Sequence, residues 1–488
     1  MSESRTAEPE LPLWLALLPM IVLTGLLGGA VYLFGDGSSS GPNQISLFLV
    51  AGIAVLIGLR RGIPWPDLEE ALVDGIRLAL KACLILLMIG SLIGAWMLSG
   101  TAPAMIHLGL GLLDPAWFYP AVMVICALVA VTIGSSWTTA GTVGVAIIGV
   151  SNVLGLSPAI TAGAVISGAY FGDKLSPLSD TTNLAPAMVD AELFAHIRNL
   201  LWTTMPAFAI AFVLFGLIAM GSHADAADST SIAETRALLA THYRLGIPAY
   251  LPLLLVLGLA IRRFPAFPTI AFGALFGGLI AIVYQPDAVR AFADPDGSLP
   301  KAAMIAKALW TVLADGYVAE TGNAALDELL TRGGMSSMLN TVWLIFSAMT
   351  FGAAMEKAGL IHRIVTTLLT WVSGTGSLIA TTVLTSIGMN LMAADQYIAI
   401  VVPGRMFRLE FKRRGLAPLA LSRTLEDAGT MTSPLIPWNT CGAFMSATLG
   451  VPTLVYAPYA FLNLLSPLIA ILYGIFNVKI VRLEEQPA

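Results

Sequence analysis

Apolar residues run along this chain in long blocks, and the blocks predict its elements. Stretches of roughly 17 residues or more, each able to cross a hydrocarbon core about 30 Å thick as a helix, recur near 11–34, 45–60, 76–99, 157–189, 198–220, 247–262, 266–284, 337–356, 415–448 and 453–475. Two further apolar stretches, near 118–150 and 376–403, read as one long span, two short ones or a re-entrant hairpin. Polar positions interrupt the pattern most sharply in "GAYFGDKLSPLSDTTNLAP", from Gly168, which sets Asp173, Lys174, Asp180 and two prolines inside an apolar block.

Basic positions orient the spans. They cluster at Arg60/Arg61, Arg262/Arg263, Lys357/Arg363, Arg405 to Arg414 and Lys479/Arg482, whereas the loops near 222–246 and 285–335 carry more acids than bases. Cytoplasmic loops are enriched in Lys and Arg. With a cytoplasmic N-terminus, and with both ambiguous stretches entering and leaving on one side, every basic cluster falls inside and both long loops fall outside. Counting either stretch as a single crossing puts a later cluster on the wrong face. The parity predicts ten crossings, both termini cytoplasmic and two hairpins; two tight transmembrane hairpins would give the same parity. Non-helical backbone at membrane depth needs surrounding protein or a water-filled cavity, so re-entrant hairpins imply a solvated site.

Composition agrees with the lipid bilayer as the main partner. Of 488 residues, 57% are hydrophobic and 11% charged, against roughly 25% charged in soluble domains, and mean hydropathy is +0.82. A net charge of −5 argues against nucleic-acid binding. The three cysteines all lie in apolar runs and suggest neither a disulfide framework nor a metal-ligand spacing. No cofactor is expected. "MSESRTAEPE" lacks the basic start of a signal peptide, so Leu11 onward reads as a retained first span.

The chain also resembles itself. "GAWM" at Gly94 returns as "GAAM" at Gly352, and "MIH" ending at His107 as "LIH" ending at His362. "TIG" ending at Gly134, the tip of the first hairpin, returns as "SIG" ending at Gly388, and "GDKLSPL" at Gly172 as "GTMTSPL" at Gly429. The order is kept and the offset stays between 254 and 258 residues. Five crossings plus a hairpin in each half turn the second half upside down, as in secondary transporters built from inverted repeats. The predicted fold is an all-α polytopic membrane protein of two inverted repeats, each with a re-entrant hairpin and one broken helix. The first repeat spans 1–221, with its hairpin near 118–150 and its broken helix near 157–189. An external loop, 222–246, separates it from the second, 247–488, whose external loop lies at 285–335, hairpin near 376–403 and broken helix near 415–448.

The polar stretch then has a use. Pro177 and Pro186 cannot donate backbone hydrogen bonds and Gly172 is a weak helix former, so the span should break near 172–180. A break exposes backbone polar groups at two half-helix ends. With Asp173, Asp180, Thr181, Thr182 and Asn183 it makes an all-oxygen environment, the kind hard cations prefer. The second half offers "TLEDAGTMTSPLIPWNTCG", with Glu426, Asp427, Thr430, Ser433, Asn439 and Thr440, and a break near 429–437. The hairpin tips add Ser135, Ser136, Thr138 and Asp395. Asp173, Asp180, Asn183 and Asn439 are the candidate sodium ligands. Intramembrane carboxylates are costly and mark function by default. Lys174 reads as a charge-balancing partner for Asp173 or Asp180. Glu426 and Asp427 follow Arg423 and could instead cap a half-helix. His107 and His362 read as packing or headgroup contacts.

At these motifs, together with "SSWTTAGTVGVA" and "AADQYIAIVVPGRMF", the sequence resembles the NhaC family of sodium/proton antiporters, from roughly Gly94 to Pro467. The resemblance implies a layout of two re-entrant hairpins and two broken helices on a homodimeric scaffold, in a bacterial inner membrane. It also implies sodium and protons as transported species. Family relatives couple these ions to malate and lactate, which leaves a sodium- or proton-coupled organic-anion exchanger as the alternative. An intramembrane aspartyl protease would need a Gly-x-Gly-Asp turn, and Tyr170 stands in place of the first glycine; a transporter, not an enzyme, is expected.

Overall fold

The computed structural model describes residues 11–221, 229–370 and 372–483. The acidic stretch 1–10 and part of the 222–246 loop lie outside the described residues. Those described are nearly all helical and form no strand, only two isolated bridges, Tyr317 to Arg332 and Leu416 to Arg482. By length and composition, seven helices among them can cross a membrane, or nine if two bent pairs count as spans.

The first half opens with α1 (Leu13–Phe34), α2 (Pro42–Arg60), the long α3 (Trp65–Leu98) and the short α4 (Thr101–Leu112). The chain then runs up α5 (Phe118–Ile133) and turns at Gly134, whose φ of +75° suits a residue without a side chain. It comes back through α6 (Ser136–Thr139), a π-helical turn at Ala140–Gly144 and α7 (Val145–Val153). Next comes α8 (Pro158–Leu175), interrupted at residues 176–179 and continued by α9 (Asp180–Ala187), and then α10 (Leu193–Gly221). Side-chain neighbours set the directions. Gly168 meets Met123 and Gly172 meets Ala127 and Val131, so α5 and α8 run parallel. The return arm runs antiparallel to α8, with Ser151 bonded to Thr161 and Ser136 to Asp173. Tyr119 Oη accepts from Ser157 N at 3.1 Å, so both feet of the hairpin stand together at one end of the bundle.

The predicted external loops are largely helical. The first holds α11 (Ser229–His242), after which α12 (Leu251–Ile261) and α13 (Ala266–Tyr284) form a pair. The second holds α14 (Pro286–Ala293), α15 (Lys301–Ala314) and α16 (Ala324–Leu330). Low hydropathy set these stretches apart from the apolar blocks and concealed their helices. The second packs backbone to backbone on α3, where Gly334 N donates to Gly90 O at 2.7 Å.

The second half repeats the element order: α17 (Leu339–Lys357), α18 (Leu360–Leu369), α19 (Thr375–Met392), α20 (Gln396–Arg413), then α21 (Pro418–Leu425). A π-helical turn, Glu426–Thr430, and a 3-10 turn, Ser433–Leu435, carry α21 to its interruption before α22 (Thr440–Leu449). The chain finishes with α23 (Thr453–Tyr456) and α24 (Phe461–Phe476). Left-handed glycines, Gly100 and Gly359, start α4 and α18 at matching places. The two interruptions both carry Ser-Pro-Leu, at Ser176 and Ser433. One proposed equivalence shifts: Gly388 lies inside α19, and the second hairpin turns later, at 393–395, where Ala394 takes φ +56°. The α19–α20 feet stand at the opposite end from those of α5–α7. Arg414 there donates to Val372 O, whereas α24 runs from Tyr459 beside Gly163 to Ile475 beside Gly376.

The α5–α8 seam packs main chain against main chain beside the first interruption. A Cβ on Gly168 would lie 2.2 Å from Met123 O, and one on Gly172 would lie 2.4 Å from Val131 N. Backbone atoms cannot step aside, so overpacking here should cost about 1–3 kcal/mol. Gly168→Ala and Gly172→Ala should each lower the thermal midpoint of the detergent-purified protein, while Gly25→Ala, with nothing within 4 Å of its Cβ position, should not. Equal midpoints for all three would mean the seam is looser than described.

Candidate functional site

Both interruptions satisfy their own backbone, which is why they persist. At the first, Ser179 caps α9 by accepting from Thr182 N. The Thr182 hydroxyl donates to the freed carbonyls of Asp173 and Lys174, each at 3.1 Å, and Asn183 donates to those of Pro177 and Ser179. At the second, Asn439 caps α22 by accepting from Cys441 N at 3.0 Å. Asn390 Nδ2 donates to Gly429 O at 2.6 Å, and Asn439 Nδ2 donates back to Asn390 Oδ1.

A cavity of about 780 Å³ leads from the α12–α13 turn at Arg263 down to these interruptions. Its wall includes Ser135, Ser136 and Thr138 from the first hairpin tip, Asp173, Asp180 and Thr181 from the first interruption, and Asp395 and Thr440 from the second hairpin and α22. Asp173, 8% exposed, accepts at one oxygen from Ser136 twice, from N at 3.0 Å and from Oγ at 2.6 Å. Ser135 caps the turn that presents Ser136. Asp395 is the N-cap of α20: its Oδ1 takes Tyr397 N and Ile398 N, and its Oδ2 takes the Thr440 hydroxyl at 3.4 Å.

The other candidates separate. Asp180 is not buried; its side chain is 69% exposed at the cavity mouth, 3.8 Å from Lys81 and within 3.4 Å of Tyr397 Oη. Asn183 donates from Nδ2 to the carbonyls of its own turn and lines the same cavity as Asp173 and Asp180, whereas Asn439 is held in the Asn390 pair and does not line it. Ser433 bonds Gln396 Oε1 at 3.1 Å behind the tip. Lys174 does not pair with Asp173 or Asp180. Both it and Asp427 are fully buried, and they form an ion pair across the two halves, with Thr203 Oγ1 donating to the same Asp427 oxygen at 3.0 Å. Glu426 and Asp427 therefore cap no half-helix; they sit in the π-helical turn. Both oxygens of Glu426 are buried without a hydrogen-bond partner, as is the Thr430 hydroxyl beside it. Sequence reasoning passed over Tyr397, Lys81 and Thr203, all in ordinary helical runs; Tyr397 alone carried a signal, being two residues past a hairpin-tip aspartate.

The arrangement brings side-chain oxygens from both halves to the wall of one cavity; among the described residues no group of three or more His, Cys, Asp or Glu could hold a metal. Comparison with known proteins places the chain in a family. The chain is 40% identical over 439 residues to the Na(+)/H(+) antiporter NhaC of Alkalihalophilus pseudofirmus, covering 90% of this chain and 91% of that one. It is 34% identical to the malate-2H(+)/Na(+)-lactate antiporter of Bacillus subtilis, covering 89% of each. It is 33% identical to the arginine/ornithine antiporter ArcD of Halobacterium salinarum, covering 97% of this chain and 94% of that one. The Na+/H+ antiporter family pattern matches residues 13–171 and 168–478, and the chain belongs to that family.

Proposed function

We propose that this protein exchanges sodium for protons by alternating access, with Asp173 the carboxylate for which the two cations compete. The observation that carries the reading is the cavity itself, which ends on a buried Asp173 at a helix interruption, among the oxygens of Ser135, Ser136, Thr138, Asp395 and Thr440. Hard cations take such oxygen sets. Desolvation favours the protonated form of a carboxyl group and a nearby cation favours the ionised form, so one group can hold either cargo. The two halves act as inverted repeats in this reading. Support comes from hairpins whose feet stand at opposite ends, and from the matching Ser-Pro-Leu interruptions. The end bearing Arg405 to Arg414 and Lys479 is cytoplasmic by the excess of basic residues there. In this reading the cavity, which reaches the Arg263 turn, opens toward the cytoplasm of a bacterium.

Orientation is tested with single cysteines, since the three native ones are buried. Thr241→Cys and Ser298→Cys should react with an impermeant maleimide added to intact cells, and Ser373→Cys only after the membrane is opened. The reverse pattern would invert the topology.

The competition has a definite sign. As pH falls below the site's pKa, protons occupy Asp173 and apparent sodium affinity should weaken, by about tenfold per unit for one proton against one sodium. Everted vesicles should show this in the sodium concentration for half-maximal exchange. Asp173→Asn, nearly isosteric, should leave the protein folded and exchange lost; exchange at the wild-type rate with unchanged pH dependence would dismiss Asp173. Malate, lactate and arginine should not stimulate sodium movement. The cavity is roomier than a bare sodium ion needs and has Lys81 and Arg263 on its wall, so stimulation by one of these solutes would favour the organic-ion reading.

A further inference from the structure

We infer that Glu426 is a second proton carrier, separate from the sodium site, which gives up its proton to the cavity through Thr181 when sodium occupies Asp173. The inference rests on the sodium/proton reading above and adds a residue which that reading does not use.

Glu426 sits in the π-helical turn 426–430 with no exposed surface, and such turns inside helices often mark functional sites. Neither carboxyl oxygen has a hydrogen-bond partner. An ionised carboxylate cannot stay buried on those terms, because leaving it uncompensated costs far more than neutralising it. The buried cation that acts on it, Lys174 on α8, is committed to Asp427. Glu426 is therefore neutral here and holds a proton. The charged and polar groups facing it are few. Asp173 and Lys174 come from α8, Thr181 from α9, and Asp427 and Thr430 from its own turn. From the other helices packed on this turn, Asn390 of α19 and Asn463 of α24 donate from Nδ2 to the backbone carbonyls of Gly429 and Met431, the Asn463 Oδ1 being without a partner. α20 meets this turn at Gly429 through the Ile400 side chain and the Ala399 carbonyl, and Arg423, on α21, is turned to Asn199 and to Lys479 O.

Thr181 supplies the route. Its residue lines the cavity and also stands beside Glu426, and a hydroxyl can accept a proton on one side while donating on the other. A sodium ion at Asp173 adds positive charge within electrostatic reach of Glu426 and favours its ionised form. The O–H bond of Glu426 breaks, its proton passes by way of the Thr181 hydroxyl to cavity water, and the carboxylate left behind shares the field of Lys174 and the new cation. When sodium leaves, the steps reverse. Each cycle then moves one more proton per sodium than Asp173 alone accounts for, and net charge crosses the membrane.

The test counts protons released per sodium bound by the purified protein in weakly buffered detergent, with a pH dye and a direct sodium-binding measurement. Glu426→Gln should still bind sodium but release one proton fewer than wild type. In proteoliposomes it should keep exchanging sodium while losing acceleration by an imposed membrane potential. Thr181→Val should release the wild-type number of protons at least tenfold more slowly. Sodium added to the wild type should also bleach the infrared carbonyl band of a protonated carboxylic acid that is absent from Glu426→Gln, a readout that does not depend on the variant's transport. An unchanged proton count in Glu426→Gln, or no such band in the wild type, overturns the inference. Asp173→Asn is the separate control: normal sodium binding in that variant would defeat the Asp173 reading and leave the Glu426 count to stand or fall by itself.

Discussion

The buried ion pair between Lys174 and Asp427 is the constraint around which the centre of this protein is arranged. Removing two charges from water costs several kcal/mol per ion, and removing one partner of such a pair typically costs about 3–5 kcal/mol because the other is stranded. The pair survives only because its surroundings are fixed. Thr203 donates to the same Asp427 oxygen, and Thr182 holds the carbonyls of Asp173 and Lys174 so that the end of α8 cannot unwind further. The two residues lie 253 positions apart in the chain. Their pairing clamps the interrupted helix of one half against the π-helical turn of the other, and the carboxylates on either side, Asp173 and Glu426, inherit their environments from it. Asp173 is left with the amide and hydroxyl of Ser136 as donors; Glu426 is left without a hydrogen-bond partner.

Interrupting helices inside a hydrophobic slab requires partners for every freed backbone group, and here the partners are short polar side chains. Thr182, Asn183 and Ser179 serve the first interruption; Asn390, Asn439 and Asn463 serve the second. Much of the polar character that marked these stretches in the sequence is thereby structural. Other polar side chains instead line the cavity: Asp173, Asp180 and Asp395, with the hydroxyls of Ser135, Ser136, Thr138 and Thr440.

That division explains what could be read from the residues alone. The positions of the interruptions were legible because Pro177, Pro434 and the adjoining Asn and Ser residues are punctuation that acts locally. The apolar blocks were legible because lipid demands length. Side-chain partnerships were not, since nothing local distinguishes a lysine that meets Asp173, one residue away, from one that meets Asp427 in the other half. Burial was equally hidden: Asp173 and Asp180 look alike in the chain, but the first, ahead of the interruption on α8, is buried, and the second, the first residue of α9 after it, is exposed. The match of Gly134 to Gly388 failed as a tip assignment because the second hairpin turns at an alanine with positive φ, which carries no signature. The helices of 285–335 were missed because their packing against α3 depends on Gly90 and Gly94, small residues that read from sequence only as apolar filler.

The glycine seam between α5 and α8 limits how this protein can change shape. Main chain touches main chain at Gly168 and Gly172, and Ser176 Oγ is anchored to Val131 O at 2.9 Å. Two helices joined this closely do not slide past one another or hinge apart without breaking hydrogen bonds and opening voids. The first hairpin and the outer length of the broken helix are accordingly one solid piece. Any switch in which side of the membrane sees the carboxylates must shear somewhere softer, along surfaces where only side-chain tips meet, such as Tyr397 against Asp180 and Arg408 against Asp190.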